Sequence, residues 1–156
     1  MVLYARDIVE SDFLAVSGGS SVLEGARAMK GSRHGFSVIG DQKRPEGIVT
    51  EWDILAKVVA EGRDPARVTM EEIMSKNLVT IEESTPLSTV SQLMTERGVR
   101  RLLVQRGGEV IGVITSKTML ARMNEYVDKL GSQYPNDVPQ NSDYLIDLTT
   151  GTLLRQ

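Results

Sequence analysis

Residues 47–55, GIVTEWDIL, return with small changes as GVITSKTML at residues 112–120. The two stretches lie 65 positions apart, and the same offset aligns residues 5–56 with 70–121 without a gap. Each stretch joins a short apolar run to a helical pattern, which predicts a buried strand that leads directly into a helix. A duplication of this kind predicts two copies of one structural unit that share a core.

Local signals predict the order β-α-β-β-α in both repeats. We expect the first helix of repeat 1 to begin at Ser21, where a serine precedes a glutamate at capping-box spacing. Its counterpart in repeat 2 is expected to begin at Thr85, which precedes a proline. These helices should end at Gly31 and Gly98. The pair Gly107–Gly108 predicts a hairpin turn between the last two strands of repeat 2.

The repeat divides the chain into three predicted segments. Repeat 1 covers residues 1–65, repeat 2 covers residues 66–131, and residues 132–156 follow as a third segment. The third segment begins with a polar stretch that contains prolines, which is typical of a linker. Apolar runs flank residues 149–151, so the end of the chain forms either a last hairpin or a disordered tail.

The composition restricts the function. The chain has 156 residues, of which 40% are apolar and 25% charged, as in soluble globular proteins. It has no cysteine and a single histidine, His34, which leaves little for metal or nucleophilic catalysis, so we expect no enzyme and no metal site. A net charge of -3 disfavours a general nucleic-acid binder. Because no signal-peptide pattern or long apolar run occurs, we expect a cytoplasmic protein without membrane contact.

The repeated motif, Gly-apolar-apolar-Thr-x-x-Asp in repeat 1, allows two interpretations. In the first, Thr50 is the N-cap of a helix and Asp53 is its third residue, so the two side chains satisfy free backbone amides and no ligand is needed. In the second, the acid and the free amides bind the hydroxyls of a ribose and a phosphate. The spacing leaves both open. The counterpart of Asp53 in repeat 2 is Thr118.

Several motifs together resemble a tandem CBS domain pair, also called a Bateman module. They are the gapless repeat, the helices VLEGARAM and LSTVSQLM, the lead-in EIMSKNLVTI, the strand GVRRLLV and both glycine-to-threonine motifs. The resemblance covers residues 1 to about 130. It implies an α/β fold of two pseudo-twofold-related β-α-β-β-α units, packed as one module with two clefts between them.

The resemblance also implies a function. Many members of the family bind an adenine-containing regulatory ligand, such as AMP, ADP, ATP or S-adenosylmethionine, and require no cofactor. This chain is therefore expected to be a non-enzymatic nucleotide sensor whose readout is a homodimer or an effector protein. An alternative is a scaffold that dimerises or docks to a partner without any ligand. Nucleic-acid binding through Arg97, Arg100, Arg101 and Arg106 is a third and disfavoured possibility.

The resemblance assigns ligand contacts to six residues: ribose to Thr50 and Asp53, adenine to Val16 and Phe36, and phosphate to Arg100 and Arg101. Planar guanidinium groups match the oxygens of a phosphate. At the repeat offset, these two arginines correspond to Gly35 and Phe36. Repeat 2 thus lacks the acid in its own motif, and its cleft lacks the cations. We expect one nucleotide cleft, and a second that is empty or holds something weaker. His34, beside Gly35, is either a surface residue or a phosphate contact.

Overall fold

A computed structural model describes residues 3–122, 125, 144–147 and 152–155, with the last two ranges described by their backbone alone. Repeat 1 contains β1 (Ala15–Val16), α1 (Val22–Ser32), β2 (Phe36–Gly40), β3 (Pro45–Thr50) and α2 (Glu51–Ile54), which continues as a π-helical turn over Leu55–Val59. Repeat 2 contains α3 (Met70–Ile73), β4 (Thr80–Glu82), α4 (Leu87–Arg97), β5 (Arg101–Arg106) and β6 (Glu109–Thr115). Strands β7 (Tyr144–Asp147) and β8 (Thr152–Arg155) follow.

Each repeat forms a three-stranded sheet with the same topology. In repeat 1, β2 lies between a parallel β1 and an antiparallel β3, and β5 lies in the same way between β4 and β6. Residues 116–122 are helical after β6, as α2 is after β3. The predicted β-α-β-β-α order is therefore confirmed in both repeats. The glycines of the β5–β6 turn have φ of 59° and 81°, which a primed hairpin turn requires.

The chain folds into two compact bodies, residues 1–119 and residues 120–156. The first body contains both three-stranded sheets, and the second contains β7 paired antiparallel with β8. The predicted linker, residues 132–143, lies outside the described residues. Among the helices of the described part, none is long and apolar enough to cross a membrane.

Two helix ends differ from the sequence prediction. Helix α1 passes through Gly31 and ends at Ser32, and Arg33 takes the left-handed conformation with φ of 58°. Helix α4 begins at Leu87 with Pro86 as its N-cap, so Thr85 is not the cap. Proline supplies no side-chain oxygen, and no side-chain hydrogen bond caps this helix. The capping box at Ser21 and the left-handed Gly98 after α4 are both as predicted.

The two sheets share a core, as the duplication predicts. Two clusters of buried residues each centre on one sheet and also include residues of the other repeat, such as Ile8 in the cluster of repeat 2 and Ile73 in that of repeat 1. A third cluster joins the two sheets: Phe13, Phe36, Val38, Leu103, Val110 and Val113. Members of this third cluster come from β2, β5 and β6, so each sheet contributes one face. Apolar burial on this scale is the main stabilising term in folding.

The motif glycines, Gly47 and Gly112, are required because another segment of the chain crosses each motif strand closely. The segment before the first strand of each repeat, which we call its lead-in, crosses the motif strand of the other repeat, β3 or β6. Ile48 and Ser75 exchange two backbone hydrogen bonds of 3.0 and 2.9 Å, and Glu10 and Val113 do the same at 3.0 and 2.9 Å. A Cβ atom on Gly112 would lie 2.5 Å from the carbonyl oxygen of Glu10. This exchange of lead-ins decides which residues face the motif.

Candidate functional site

A cleft of about 320 Å³ opens where β3 ends and α2 begins. Thr50, Trp52 and Asp53 of repeat 1 line one side of it. Repeat 2 lines the other side, mainly through the lead-in residues 77–79 before β4 and through residues 98–101 at the end of α4 and the start of β5. The cleft therefore joins the two repeats and combines an acid from one with arginines from the other.

The junction between β3 and α2 is a capping box. The Thr50 backbone N–H and hydroxyl both donate to Asp53 Oδ2, at 2.8 and 2.7 Å, and the Asp53 N–H donates back to Thr50 Oγ1 at 3.3 Å. These bonds satisfy amides that the start of a helix leaves free. The capping interpretation of the motif is thus correct for the fold. It does not exclude a ligand, since both side chains also line the cleft.

A lysine one turn further along the helix holds the other oxygen of the carboxylate. Lys57 Nζ lies 2.8 Å from Asp53 Oδ1 and donates to the Ile73 carbonyl at 2.7 Å. Burial works against ionisation of Asp53, but the hydrogen bonds from Lys57 and Thr50 outweigh it and lower the pKa of this carboxyl. The Asp53 side chain is 14% exposed. It is a fixed, charged acceptor on the wall of the cleft.

The two arginines differ in their surroundings. Arg100 is exposed, whereas Arg101 is half-buried and its Nε–H has no hydrogen-bond partner. The Arg101 guanidinium lies over the Phe36 ring, 4.9 Å from its centroid. Burial and the charge of Arg100 lower the pKa of Arg101, and the carboxylates of Glu51 and Asp53 partly oppose this. Arg101 is therefore a half-buried cation on the wall of the cleft, and no salt bridge to it forms among the described residues.

The structure does not bring Val16 and Phe36 to this cleft. Val16 packs against the core of repeat 1, and Phe36 lies in the shared core with 4% of its surface exposed. Their predicted contact with adenine stays a prediction, but both residues lie outside the lining of this cleft. The reason is the exchange of lead-ins, because the strand entry that faces Asp53 belongs to repeat 2 and consists of residues 77–79.

The equivalent positions around the second motif carry different residue types. Thr118 is 8% exposed, and its hydroxyl lies 2.9 Å from that of Thr115. The chain has two phenylalanines, Phe13 and Phe36, both buried in the shared core. They occupy the positions that correspond to Leu78 and Arg101, which line the open cleft. Two aromatic rings thus stand where the first cleft has an aliphatic side chain and a cation.

His34 lies in a second, more open pocket of about 380 Å³ between α1 and the start of α2. Its Nδ1 is buried without a partner, and its ring meets Phe36 edge-on at 6.0 Å. This pocket contacts Glu51, which also lines the first cleft. Within the described part of the chain, no group of three or more potential metal ligands occurs.

Comparison with known families identifies the fold. The CBS domain family model matches residues 5–60 and 70–125, which is more than half of the chain. The chain belongs to the CBS domain family. The predicted tandem CBS pair, or Bateman module, and its α/β class are confirmed.

Two related proteins match most of this chain. An uncharacterized protein of Methanopyrus kandleri is 34% identical over 118 residues, which cover 73% of this chain and 59% of that protein. A homoserine O-acetyltransferase of Methanohalobium evestigatum is 30% identical over 126 residues, which cover 79% of this chain and 24% of that enzyme. The chain therefore spans less than two thirds of either relative.

Two solved structures extend the comparison. An uncharacterized conserved protein from Pyrococcus horikoshii superimposes with a TM-score of 0.72 at 27% identity, over 77% of this chain and 91% of that one. The CBS pair of the protein MJ0100, in complex with 5′-methylthioadenosine and S-adenosyl-L-methionine, has a TM-score of 0.71 at 25% identity, over 81% of this chain and 99% of that one. That protein binds two adenosine derivatives.

Sequence reasoning missed three features of the CBS cleft. Lys57 follows Asp53 by four residues, and this spacing of an acid and a base could have predicted their ion pair on the helix. Trp52, the single tryptophan, sits between the two motif residues and is 70% exposed. Residues 77–79 carried no local signal, since their place in the cleft follows only from the pairing of the repeats.

Proposed function

We propose that this CBS pair is a regulatory module that binds one adenine-containing ligand, with AMP as the model compound, in the cleft at Asp53. The observation that carries the proposal is that a fixed carboxylate from one repeat and two arginines from the other line the same cleft of about 320 Å³. A nucleoside monophosphate has the matching groups, hydroxyls at one end and an anion at the other. The adenosine derivatives bound by MJ0100 support this class of ligand.

Hydrogen-bond capacity supports a ribose at the acid. A carboxylate offers about four acceptor positions, and three on Asp53 are taken by the Thr50 N–H, the Thr50 hydroxyl and Lys57. One position on Oδ1 remains for a ligand hydroxyl. Thr50 Oγ1 donates one bond and accepts one, so it retains one lone pair for a second hydroxyl. Two neighbouring acceptors of this kind suit the two adjacent hydroxyls of a ribose.

The other assignments follow from the walls of the cleft. Arg100 and Arg101 bind the phosphate, because guanidinium groups pair with its oxygens in a planar fork. The base lies against residues 77–79, which replace Val16 and Phe36 in that role. Trp52 lines the cleft, so its fluorescence should change when the ligand binds.

We further propose that the module is not an enzyme and that its output is a changed contact with a second copy or with an effector protein. A ligand shifts such an equilibrium only by its difference in affinity for the two arrangements. Trp52, Leu55 and Val59 form an exposed apolar stripe on the helix after the motif, at 70%, 49% and 63% exposure. This stripe is our candidate homodimer face.

The same stripe supports the second candidate function, a scaffold that docks through this face without a ligand. A thermal-shift panel of AMP, ADP, ATP, S-adenosylmethionine and NADH separates the two. We expect adenine nucleotides to raise the Tm in a concentration-dependent way, because a ligand that binds only the folded state stabilises it. If none does so at millimolar concentration, the scaffold is the better description. Nucleic-acid binding remains disfavoured, since Arg106 is engaged by Glu83 at 2.6 Å.

A further inference from the structure

Phe36 and Arg101 are equivalent residues of the two repeats that meet in space. Both are the first residues of their strands, β2 and β5, and each pairs with the threonine of its own repeat's motif, Thr50 or Thr115. The guanidinium of Arg101 lies over the Phe36 ring, 4.9 Å from the ring centroid. The pseudo-symmetric pair thus places an aromatic face directly against a cation that lines the cleft.

Among the described residues, neither a salt bridge nor a hydrogen bond from Nε holds the Arg101 side chain. Its Nε–H is buried and has no hydrogen-bond partner. Among the described residues, no salt bridge forms to Arg101. A long side chain with free torsions needs some contact to hold it at one place on a wall, and the Phe36 ring provides such a contact. The ring itself is fixed, because it is 4% exposed in the shared core and meets the His34 ring edge-on at 6.0 Å.

We propose that Phe36 is the positioning residue for Arg101, and that its ring face holds the guanidinium at the cleft so that it meets the phosphate of the ligand. The proposal rests on the proposed function, and it assigns to Phe36 a role in selecting phosphorylated over unphosphorylated ligands. A cation is attracted to the negative face of an aromatic ring within about 6 Å of its centroid, and more strongly where water is excluded. Phe36 therefore acts on the ligand through Arg101 and not by contact with the base.

The residue at this position also accounts for the difference between the clefts. A second arginine in place of Phe36 would put two cations face to face at the axis between the repeats, and like charges repel strongly where solvent is excluded. A ring on one side and a cation on the other is compatible with close approach. The cleft at Asp53 then has the positioned cation of Arg101, whereas the equivalent position for the second motif has the Phe36 ring.

The test compares two ligands that differ only in the phosphate. Phe36→Leu keeps an apolar side chain in the core but removes the ring face. We expect the affinity for AMP to fall about three- to tenfold, while adenosine binding changes less than about twofold. Phe36→Tyr keeps the ring and should retain the wild-type ratio of the two affinities. In an Arg101→Met background, Phe36→Leu should not change that ratio further.

The ratio separates positioning from general packing. A loss of stability lowers binding of both ligands alike, so an equal fall for AMP and adenosine, or no fall for either, overturns the proposal. Melting temperatures establish that each variant is folded, and Phe36→Met replaces the leucine variant if that one is not. Isothermal titration calorimetry gives both affinities on the full chain.

A measurement without any ligand keeps this proposal distinct from the proposed function. The ring current of Phe36 should displace the Nε–Hε NMR resonance of Arg101 in the wild type, and Phe36→Leu should return it towards the position of an exposed arginine. An unchanged resonance shows that the contact is absent and overturns the proposal. If the contact is present but neither AMP nor adenosine binds the wild type, the proposed function fails, and the role of Phe36 in ligand selection fails with it.

Discussion

Replacement of Asp53 by alanine is the most informative single perturbation of the cleft. The substitution removes the one carboxylate that both lines the cleft and is fixed in place, by Thr50 at 2.7 and 2.8 Å and by Lys57 at 2.8 Å. A hydrogen bond to a charged group contributes about 1.5–3 kcal/mol. We therefore expect the affinity for AMP or adenosine to fall about 10- to 150-fold.

The same substitution also weakens the start of α2, and this effect must be measured separately. Thr50 loses its partner in the capping box, which costs about 0.5–2 kcal/mol of folding free energy. Lys57 is 44% exposed, so water can replace the lost carboxylate. Urea denaturation of the variant gives this cost. If the variant is almost fully folded under the binding conditions, the loss in affinity comes from the missing ligand contact.

Thr118→Val provides the matched control, since Thr118 occupies the equivalent position in repeat 2. Its hydroxyl meets that of Thr115 at 2.9 Å, and the residue is 8% exposed. Nucleotide affinity should stay within about twofold of the wild type, because this residue does not line the open cleft. Isothermal titration calorimetry with AMP measures both variants. Equal losses in the two variants, or a loss in neither, would refute the assignment of the ligand to the cleft at Asp53.

Other substitutions probe the phosphate contacts, the crossing of the lead-ins and the ionisation of Asp53. Joint replacement of Arg100 and Arg101 by methionine should lower AMP affinity more than about tenfold and leave adenosine nearly unchanged, and an equal effect on both ligands would contradict the phosphate assignment. Gly112→Ala should destabilise the fold by about 1–3 kcal/mol in urea denaturation, because its Cβ would press on the crossing backbone, whereas Gly31→Ala, which meets nothing within 4 Å, should stabilise α1 by about 0.5–1 kcal/mol. Because the pKa of Asp53 is lowered in the folded state, its carboxylate stabilises the fold above the carboxyl's ordinary pKa, and this contribution is lost as the pH falls through the lowered value. Asp53→Asn should therefore make the free energy of unfolding depend less on pH on the acid side. A pH profile of unfolding free energy identical to that of the wild type would contradict this.

The sequence was informative where structure depends on neighbours along the chain. The capping boxes at Ser21 and Thr50 involve residues three apart, and the structure contains both. The duplication predicted two equivalent sheets with a shared core for the same reason, since each repeat carries its own pattern. The end of α1 was misplaced because Arg33, rather than a glycine, takes the left-handed conformation there.

The cleft was only partly predictable because it depends on how the repeats pair. Thr50, Asp53, Arg100 and Arg101 were predicted from the motif and the resemblance, and the structure places all four on one cleft. The adenine contacts were predicted at Val16 and Phe36 of repeat 1, and neither residue lines this cleft. The structure forms the wall opposite Asp53 from repeat 2, since each lead-in crosses to the other motif strand, and no local pattern along the chain reports such an exchange.

Asymmetry between the two clefts is the central claim, and the stoichiometry of nucleotide binding tests it most directly. Leu78, Arg101 and Asp53 line the open cleft, whereas their counterparts at the repeat offset are the buried residues Phe13, Phe36 and Thr118. Calorimetric titration of the wild-type chain with AMP should therefore give one site per chain. Two sites of equal affinity, or no heat and no change in Trp52 fluorescence at millimolar AMP, would contradict it.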